Sequence, residues 1–263
     1  MAQAPITTSN LTGGYDGTPV IHDCSMQVGH GEIVVIIGGS GSGKSTFLRH
    51  LIGLKPPMAG HVHLFGQSLY DAPELIRLRL LKGIGVAFQS GALLSSLSVA
   101  ENVALPLVEH SALDQQTIDV IVRMKLDFVG LLGKGDLLPS ELSGGMLKRV
   151  AVARAIALDP RLTFLDEPSA GLDPVVAAAL DELIIRLRDT LGMSVVVVTH
   201  ELESAFKIAD RIIVLDRGRI IFTGLVAEIR ASRNSRIRGL VNRIAEEEEF
   251  DPETHLRRLV GES

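Results

Sequence analysis

The chain has 263 residues and 28.2 kDa, with 46% hydrophobic residues, 4% aromatics, no tryptophan and a mean hydropathy of +0.29. That apolar content excludes a disordered chain, and the lack of any run of roughly 18 apolar residues excludes an integral membrane protein. One cysteine, Cys24, leaves no disulfide framework or cysteine-rich zinc site, and a net charge of −5 argues against a general nucleic-acid binder. The first ten residues carry neither the basic segment nor the apolar core of a secretory leader, so a reducing compartment is expected. The length suits one large domain or two small ones.

In chain order, residues 20–24 and 26–28 read as strands of a small antiparallel layer. Residues 33–37 are apolar throughout, the pattern of a strand buried on both faces. The next residues read Gly38-Gly39-Ser40-Gly41-Ser42-Gly43-Lys44-Ser45, then Thr46, and match the pattern G-x-x-x-x-G-K-S/T. Phe47, Leu48, Leu51 and Ile52 follow at helical spacing. Glycines let such a loop wrap so that successive N–H groups converge on an anion, and the helix behind it adds its positive end. Lys44 would reach the β- and γ-phosphates of a nucleotide and Ser45 would hold Mg²⁺. A Gly/Ser-rich turn without a ligand is the plainer alternative, and the strand before and helix after the loop weigh against it.

Residues 90–158 show helical period over 115–132 and no convincing strand. They read as a mostly helical subdomain inserted into an α/β core. Residues 162–165, Leu-Thr-Phe-Leu, read as another apolar strand, ending in Asp166 and Glu167. At the carboxyl edge of a parallel sheet, Asp166 suits an indirect hold on Mg²⁺ and Glu167 suits polarising a water for attack on a γ-phosphate. Asp173 and Pro174 read as N-cap and first residue of a helix that Gly192 stops. Its apolar face is expected to be Val176, Leu180, Leu183, Ile184, Leu187 and Leu191, with Asp181, Glu182, Arg186 and Arg188 opposite. Residues 195–199 and 212–215 complete the buried strands. The fold class is therefore α/β, a mostly parallel sheet with helices on its faces.

Past Val226 the composition changes: Arg230, Arg233, Arg236, Arg238 and Arg243 precede an acidic block over 246–253. An anionic-lipid patch, a contact with a second copy and a solvated charged helix all fit that pattern.

Further motifs carry a family resemblance. Leu142-Ser143-Gly144-Gly145-Met146 is similar to the signature LSGGQ, Gln89 follows an apolar run as in the Q-loop, and residues 169–173 (Ser-Ala-Gly-Leu-Asp) are similar to the D-loop. His200 stands where that family has its switch histidine, and Tyr15 where it has an aromatic ring against adenine. Over roughly residues 8–225 the chain resembles the nucleotide-binding subunit of an ABC transporter, a P-loop NTPase. The resemblance implies an ATP-binding domain over 1–226, the inserted helical subdomain at about 90–158, and a C-terminal extension over 227–263. It implies ATP and Mg²⁺ as ligands, with Ser45, Gln89 and, through water, Asp166 on the metal, Glu167 as base and His200 positioning the γ-phosphate. Two copies would pack head to tail, with Ser143, Gly144 and Gly145 of one closing over the γ-phosphate held by Lys44 of the other. A dimeric membrane permease is the implied partner, its coupling helix docking beside the helical subdomain and sensed by Gln89. That places the chain on the cytoplasmic face of a bacterial inner membrane, without nucleic acid.

Met146 departs from the usual glutamine, so the amide contact to the opposing nucleotide is not carried over. Together with Gln89-Ser90-Gly91-Ala92-Leu93-Leu94 and the run from Glu101 to Pro106, it resembles the ATPase of Mla-type, MCE-linked phospholipid transport complexes. That subgroup implies an MCE-domain protein and, in some members, a STAS-domain protein in the complex. It also implies a C-terminal contact between ATPases that Leu256, Leu259 and Val260 could anchor. An ATPase for a polar-solute importer is the alternative, and a non-transport ABC ATPase is disfavoured by the single domain and single cysteine.

Overall fold

Residues 3–241 are described by the computed structural model; Arg243, the acidic block and Leu256, Leu259 and Val260 lie outside them. The chain opens on a hairpin of β1 (Ile6–Tyr15) and β2 (Thr18–Val28). The two short strands expected near residues 20–28 are thus one strand. Next come β3 (Ile33–Ile37), α1 (Lys44–Leu51), β4 (Ala59–Leu64), β5 (Gln67–Ser68), α2 (Glu74–Lys82) and β6 (Ile84–Ala87). The helices α3 (Val99–His110), α4 (Gln115–Phe128) and α5 (Gly144–Ala155) follow. The remainder is β7 (Leu162–Asp166), α6 (Pro174–Leu191), β8 (Ser194–Thr199), α7 (Leu202–Ile208), β9 (Arg211–Asp216), β10 (Arg219–Gly224), α8 (Val226–Arg230) and α9 (Ser235–Val241).

Two sheets form. The smaller is antiparallel, in the order β2-β1-β4-β5; the larger runs β10-β9-β3-β8-β7-β6 and is parallel except at β10. The unbroken apolar runs have a direct cause in this layering. Alternate side chains of a strand point to opposite faces, and both faces of the large sheet are covered. Ile33, Val35 and Ile37 join a core with α3 to α7, while Val34 and Ile36 join a second core with α1 and the small sheet. The antiparallel layer also recruits β4 and β5, beyond the N-terminal strands expected from sequence, because it must cover the sheet on the α1 side.

Helix ends follow local chemistry. Asp173 caps α6, its Oδ1 accepting from the N–H of Val175 and Val176 at 3.1 Å each, and Gly192 ends it. Ser98 and Glu101 form a reciprocal capping box on α3. Behind it the buried Asn102 amide binds the loop backbone, accepting from Leu94 N at 2.8 Å and donating to the carbonyls of Leu94, Leu97 and Ser98. Helical period was expected to residue 132, but α4 stops at Phe128; Leu131 N reaches back to Leu126 O at 2.7 Å and buries Val129 and Leu131 from a turn.

The helical face of α6 needs correction. Asp181 is buried, not solvated, and Leu191 is exposed. The reason is α7, which packs on α6 and places Lys207 4.0 Å from the Asp181 carboxylate. Among the described residues no helix is long and apolar enough to cross a membrane.

Candidate nucleotide-binding and catalytic site

Strand register gathers the site. Ile37 at the end of β3 pairs with Thr199 of β8 and Val214 of β9, and Asp166 of β7 pairs with Val198. Gly38, Glu167 and His200 therefore leave the large sheet at one carboxyl edge, where parallel α/β sheets have their ligand crevice.

The Gly38–Ser45 loop is shaped by its neighbours. Gly38 is buried, and a Cβ there would collide with the carbonyl of Leu215 and with Ser42. Gly43 has φ 101° at the N-cap of α1, with Ile21 packed against it; a side chain would be strained there. Gly39, Ser40, Gly41 and Ser45 face solvent, Ser42 and Thr46 are buried, and the Ser42 hydroxyl has no partner among the described residues. Lys44 folds over the loop, its Nζ donating to Gly38 O at 2.7 Å and Gly39 O at 3.0 Å. Burial lowers the Lys44 ammonium below its ordinary range, against the opposing pull of Glu167 and Asp166. A cation, exposed glycine amides and the start of an eight-residue helix thus converge beside an orphan hydroxyl, a donor set that fits polyphosphate.

Across from Lys44 stand the two carboxylates. Asp166 is raised above the usual carboxylate range by burial and by Glu167, offset by Lys148, Arg49 and Lys44. Glu167 is buried and its backbone sits in the left-handed region at φ 48°, a conformation that costs a non-glycine residue about 1–3 kcal/mol. Both of its oxygens are held: Oε1 lies 2.8 Å from His200 Nδ1, and Oε2 accepts from Thr199 Oγ1 at 3.0 Å and His200 N at 3.4 Å.

Gln89 is exposed at the end of β6, and its backbone carbonyl accepts from Lys148 Nζ, which also donates to Glu167 O at 2.9 Å. Arg154 clasps the same loop through Ala92 O at 2.8 Å and Gly91 O at 2.7 Å. Ser143 caps α5, its Oγ accepting from Met146 N at 3.3 Å. Ser143 and Gly144 are exposed, whereas Gly145 is buried against Val176. Tyr15 is tied to α1, its hydroxyl bonded by Arg49, and Lys55 Nζ lies 4.0 Å from its ring centroid. Burial pushes its phenol up, but hydrogen bonds from Thr46 and Arg49 and the Lys55 charge leave it below the ordinary value.

Geometry thus brings Lys44, Asp166, Glu167 and His200 to one edge and joins Gln89 to them through Lys148. The sequence assigns no role to Thr199, or to Lys148 on the helix that follows the LSGGM motif. Thr199 carries a weak signal, a hydroxyl closing an otherwise apolar strand. Lys148 carries none, since a lysine in a helix ordinarily reads as solvated.

Comparison with known proteins supplies the family. The chain matches the ABC transporter family over residues 21–170. It is 38% identical over 237 residues to the intermembrane phospholipid transport system ATP-binding protein MlaF of Haemophilus influenzae, covering 90% of each chain. To the protein of the same name from Escherichia coli K12 it is 40% identical over 230 residues, 86% of this chain and 84% of that one. Its fold is similar to the ATP-binding cassette MJ0796, in a dimeric post-hydrolysis state bound to ADP and Pi. There the TM-score is 0.77 at 30% identity, over 84% of this chain and 98% of that one. With the phosphate loop, the paired carboxylates and the cassette fold in place, this chain belongs to the ABC transporter family as one of its ATP-binding, ATP-hydrolysing subunits.

Proposed function

We propose that the chain powers phospholipid transport between the two bacterial membranes, working as a head-to-tail dimer on the cytoplasmic face of the inner membrane. The observation that supports the chemistry is the Glu167 carboxylate, held by Thr199 and His200 at the same sheet edge as Lys44. Similarity to the phospholipid transport ATP-binding proteins over most of both chains supports the cargo.

In this reading residues 38–46 wrap the β- and γ-phosphates, with Lys44 leaving its carbonyl partners to meet them, and Tyr15 abuts the base. The Ser45 hydroxyl, the Gln89 amide oxygen and, through water, Asp166 form the hard oxygen set that Mg²⁺ prefers. When bound, the ion neutralises charge on the phosphates. Glu167 orients and deprotonates the attacking water, and His200 turns to position the γ-phosphate. Ser143, Gly144 and Gly145 at the start of α5 form a second anion site that serves the nucleotide of the other copy. ATP then stabilises the closed dimer by binding it better than the open one, and hydrolysis releases it.

Residues 1–226 form the ATP-binding domain in this account, about 90–158 its helical subdomain and 227–263 an extension that contacts the second copy. A cavity of about 810 Å³ between α2, β6, α3 and α5, lined by Leu75, Leu78, Lys82, Pro106, His110 and Arg154, seats the coupling helix of a dimeric permease. Leu75 is 80% exposed at its rim and offers apolar surface to such a helix. An MCE-domain protein and a STAS-domain protein complete the complex. The test is to purify the chain with its membrane partner and identify the bound molecule by mass spectrometry. Bound phospholipid supports the reading; a polar solute delivered by a soluble binding protein overturns it.

A further inference from the structure

Lys148 lies on α5, one turn beyond the exposed Ser143 and Gly144, and is half-buried with its ammonium engaged by main-chain acceptors. It donates to two backbone carbonyls on two other segments, Gln89 O at the end of β6 and Glu167 O at the end of β7. Its burial lowers its basicity, and Asp166 and Glu167 oppose that shift, so the cation also lies within the electrostatic reach of both carboxylates. A lysine ammonium has three donors and no acceptor, which suits it to join carbonyls from separate segments. Because the acceptors are main-chain atoms, the junction depends on residue 148 alone and not on which side chains stand at 89 and 167.

The carbonyl of Glu167 is a sensitive place for such a bond. Glu167 is a non-glycine residue at φ 48°, and its carbonyl accepts otherwise from Ala170 N at a long 3.4 Å. The Lys148 bond fixes the orientation of that peptide, and with it the backbone on which the Glu167 carboxylate reaches His200 and Thr199. At the other end, Arg154 grips Gly91 O and Ala92 O, so the loop after Gln89 is fastened to α5 at two points along the helix. The loop and α5 therefore form one body, and Lys148 is where that body meets the catalytic strand.

We propose that Lys148 is a positioning residue that locks the Gln89 loop and the peptide of Glu167 into one geometry, so that displacement of the loop by a membrane partner is felt at the catalytic carboxylate. This rests on the assignment of Glu167 as the base and Gln89 as the partner-sensing residue. Lys148 neither touches nucleotide nor transfers a proton. A displacement near 1 Å at a reacting group costs about a hundredfold in rate, so a tie of this kind controls turnover without adding to ATP affinity.

The experiment compares Lys148→Met, close in length but without charge or donors, with Lys148→Arg, which keeps both, in the complex assembled with its membrane partner. The expected result is a kcat lowered about ten- to a hundredfold in Lys148→Met, with the KM for ATP and the calorimetric ATP affinity of the isolated chain unchanged. Lys148→Arg is expected to restore most of the turnover. Thermal melts accompany each variant; should Lys148→Met not fold, Lys148→Leu, which also lacks charge and donors, carries the same prediction. Wild-type kcat in the neutral variant overturns the proposal. So does a loss of kcat that travels with lost ATP affinity and is not rescued by arginine, since that pattern marks a merely structural lysine. Glu167→Gln measured alongside separates the two levels: wild-type turnover there refutes the base assignment itself, whatever Lys148 does.

Discussion

Oε1 of Glu167 lies 2.8 Å from Nδ1 of His200, and the opposite oxygen of the same carboxylate is held by Thr199 and by the His200 backbone N–H. Two consecutive residues at the end of β8 thus clamp the carboxylate that closes β7. The side chain would otherwise be free to choose among rotamers, and the clamp selects one that faces the phosphate loop. Half of the His200 side chain stays exposed, which leaves the ring able to exchange its carboxylate partner for a phosphate oxygen.

Replacing His200 by alanine removes the clamp at Oε1 and, in the proposed cycle, the group that meets the γ-phosphate. Turnover of the assembled complex is expected to fall about 10²- to 10⁴-fold, with ATP affinity near that of the wild type. Steady-state kinetics with parallel calorimetry measures both quantities, and a loss confined to affinity would contradict the role.

Lys44 is expected to behave differently, because in the proposed site its ammonium serves nucleotide binding. A charge-assisted hydrogen bond contributes about 1.5–3 kcal/mol, so Lys44→Ala is expected to weaken ATP binding about ten- to a hundredfold. Calorimetry on the isolated chain tests this, and unchanged affinity would remove the assignment.

Gly38 and Gly39 are adjacent and have opposite tolerances. A methyl group on Gly38 runs into the Leu215 carbonyl, a backbone atom that cannot step aside, whereas one on Gly39 meets nothing within 4 Å. Gly38→Ala is expected to lower stability by about 1–3 kcal/mol, and Gly39→Ala to leave it unchanged. Urea unfolding without nucleotide distinguishes them.

Burial raises the Asp181 carboxyl above the ordinary range, partly offset by Ser204 and Lys207. A carboxyl raised in the folded state binds its proton more tightly there than in the unfolded chain. Its contribution to stability is therefore fully present below the unfolded pKa and is lost as pH rises through the folded one. Asp181→Asn, which keeps an acceptor for Ser204 but cannot ionise, is expected to be more stable than the wild type at pH 7, with the gain shrinking as pH falls through the raised folded pKa and gone below the unfolded value of about 4. Urea midpoints at the two pH values check this; a gain that persists in acid would contradict it.

Much of this fold is legible in the residues because strong, local signals coincide. Strands covered on both faces lack polar alternation, and residues 33–37, 162–165, 195–199 and 212–215 are apolar except for Thr163 and Thr199. Asp173, Pro174 and Gly192 delimit α6 through chemistry confined to its own ends. The phosphate loop, the Asp166-Glu167 pair and His200 are legible for the same reason, since each follows directly on a readable strand. What escapes the sequence depends on partners far along the chain. Asp181 falls on the polar side of its helix by spacing, and only the packing of α7 buries it. Lys148 looks like one more charged residue on α5 until the carbonyls of Gln89 and Glu167, at sequence distances of 59 and 19 residues, arrive beside its ammonium. Backbone acceptors leave no trace in a sequence.

The most direct test of the account is the turnover of Glu167→Gln in the complex assembled with its membrane partner. The substitution keeps the shape and the hydrogen-bonding reach of the side chain but removes its capacity as a base. ATP binding and dimer closure are expected to persist while hydrolysis falls about 10²- to 10⁴-fold, equivalent to roughly 3–5 kcal/mol of transition-state stabilisation. Hydrolysis at the wild-type rate would contradict the central claim that Glu167, held by Thr199 and His200, is the base that drives the cycle.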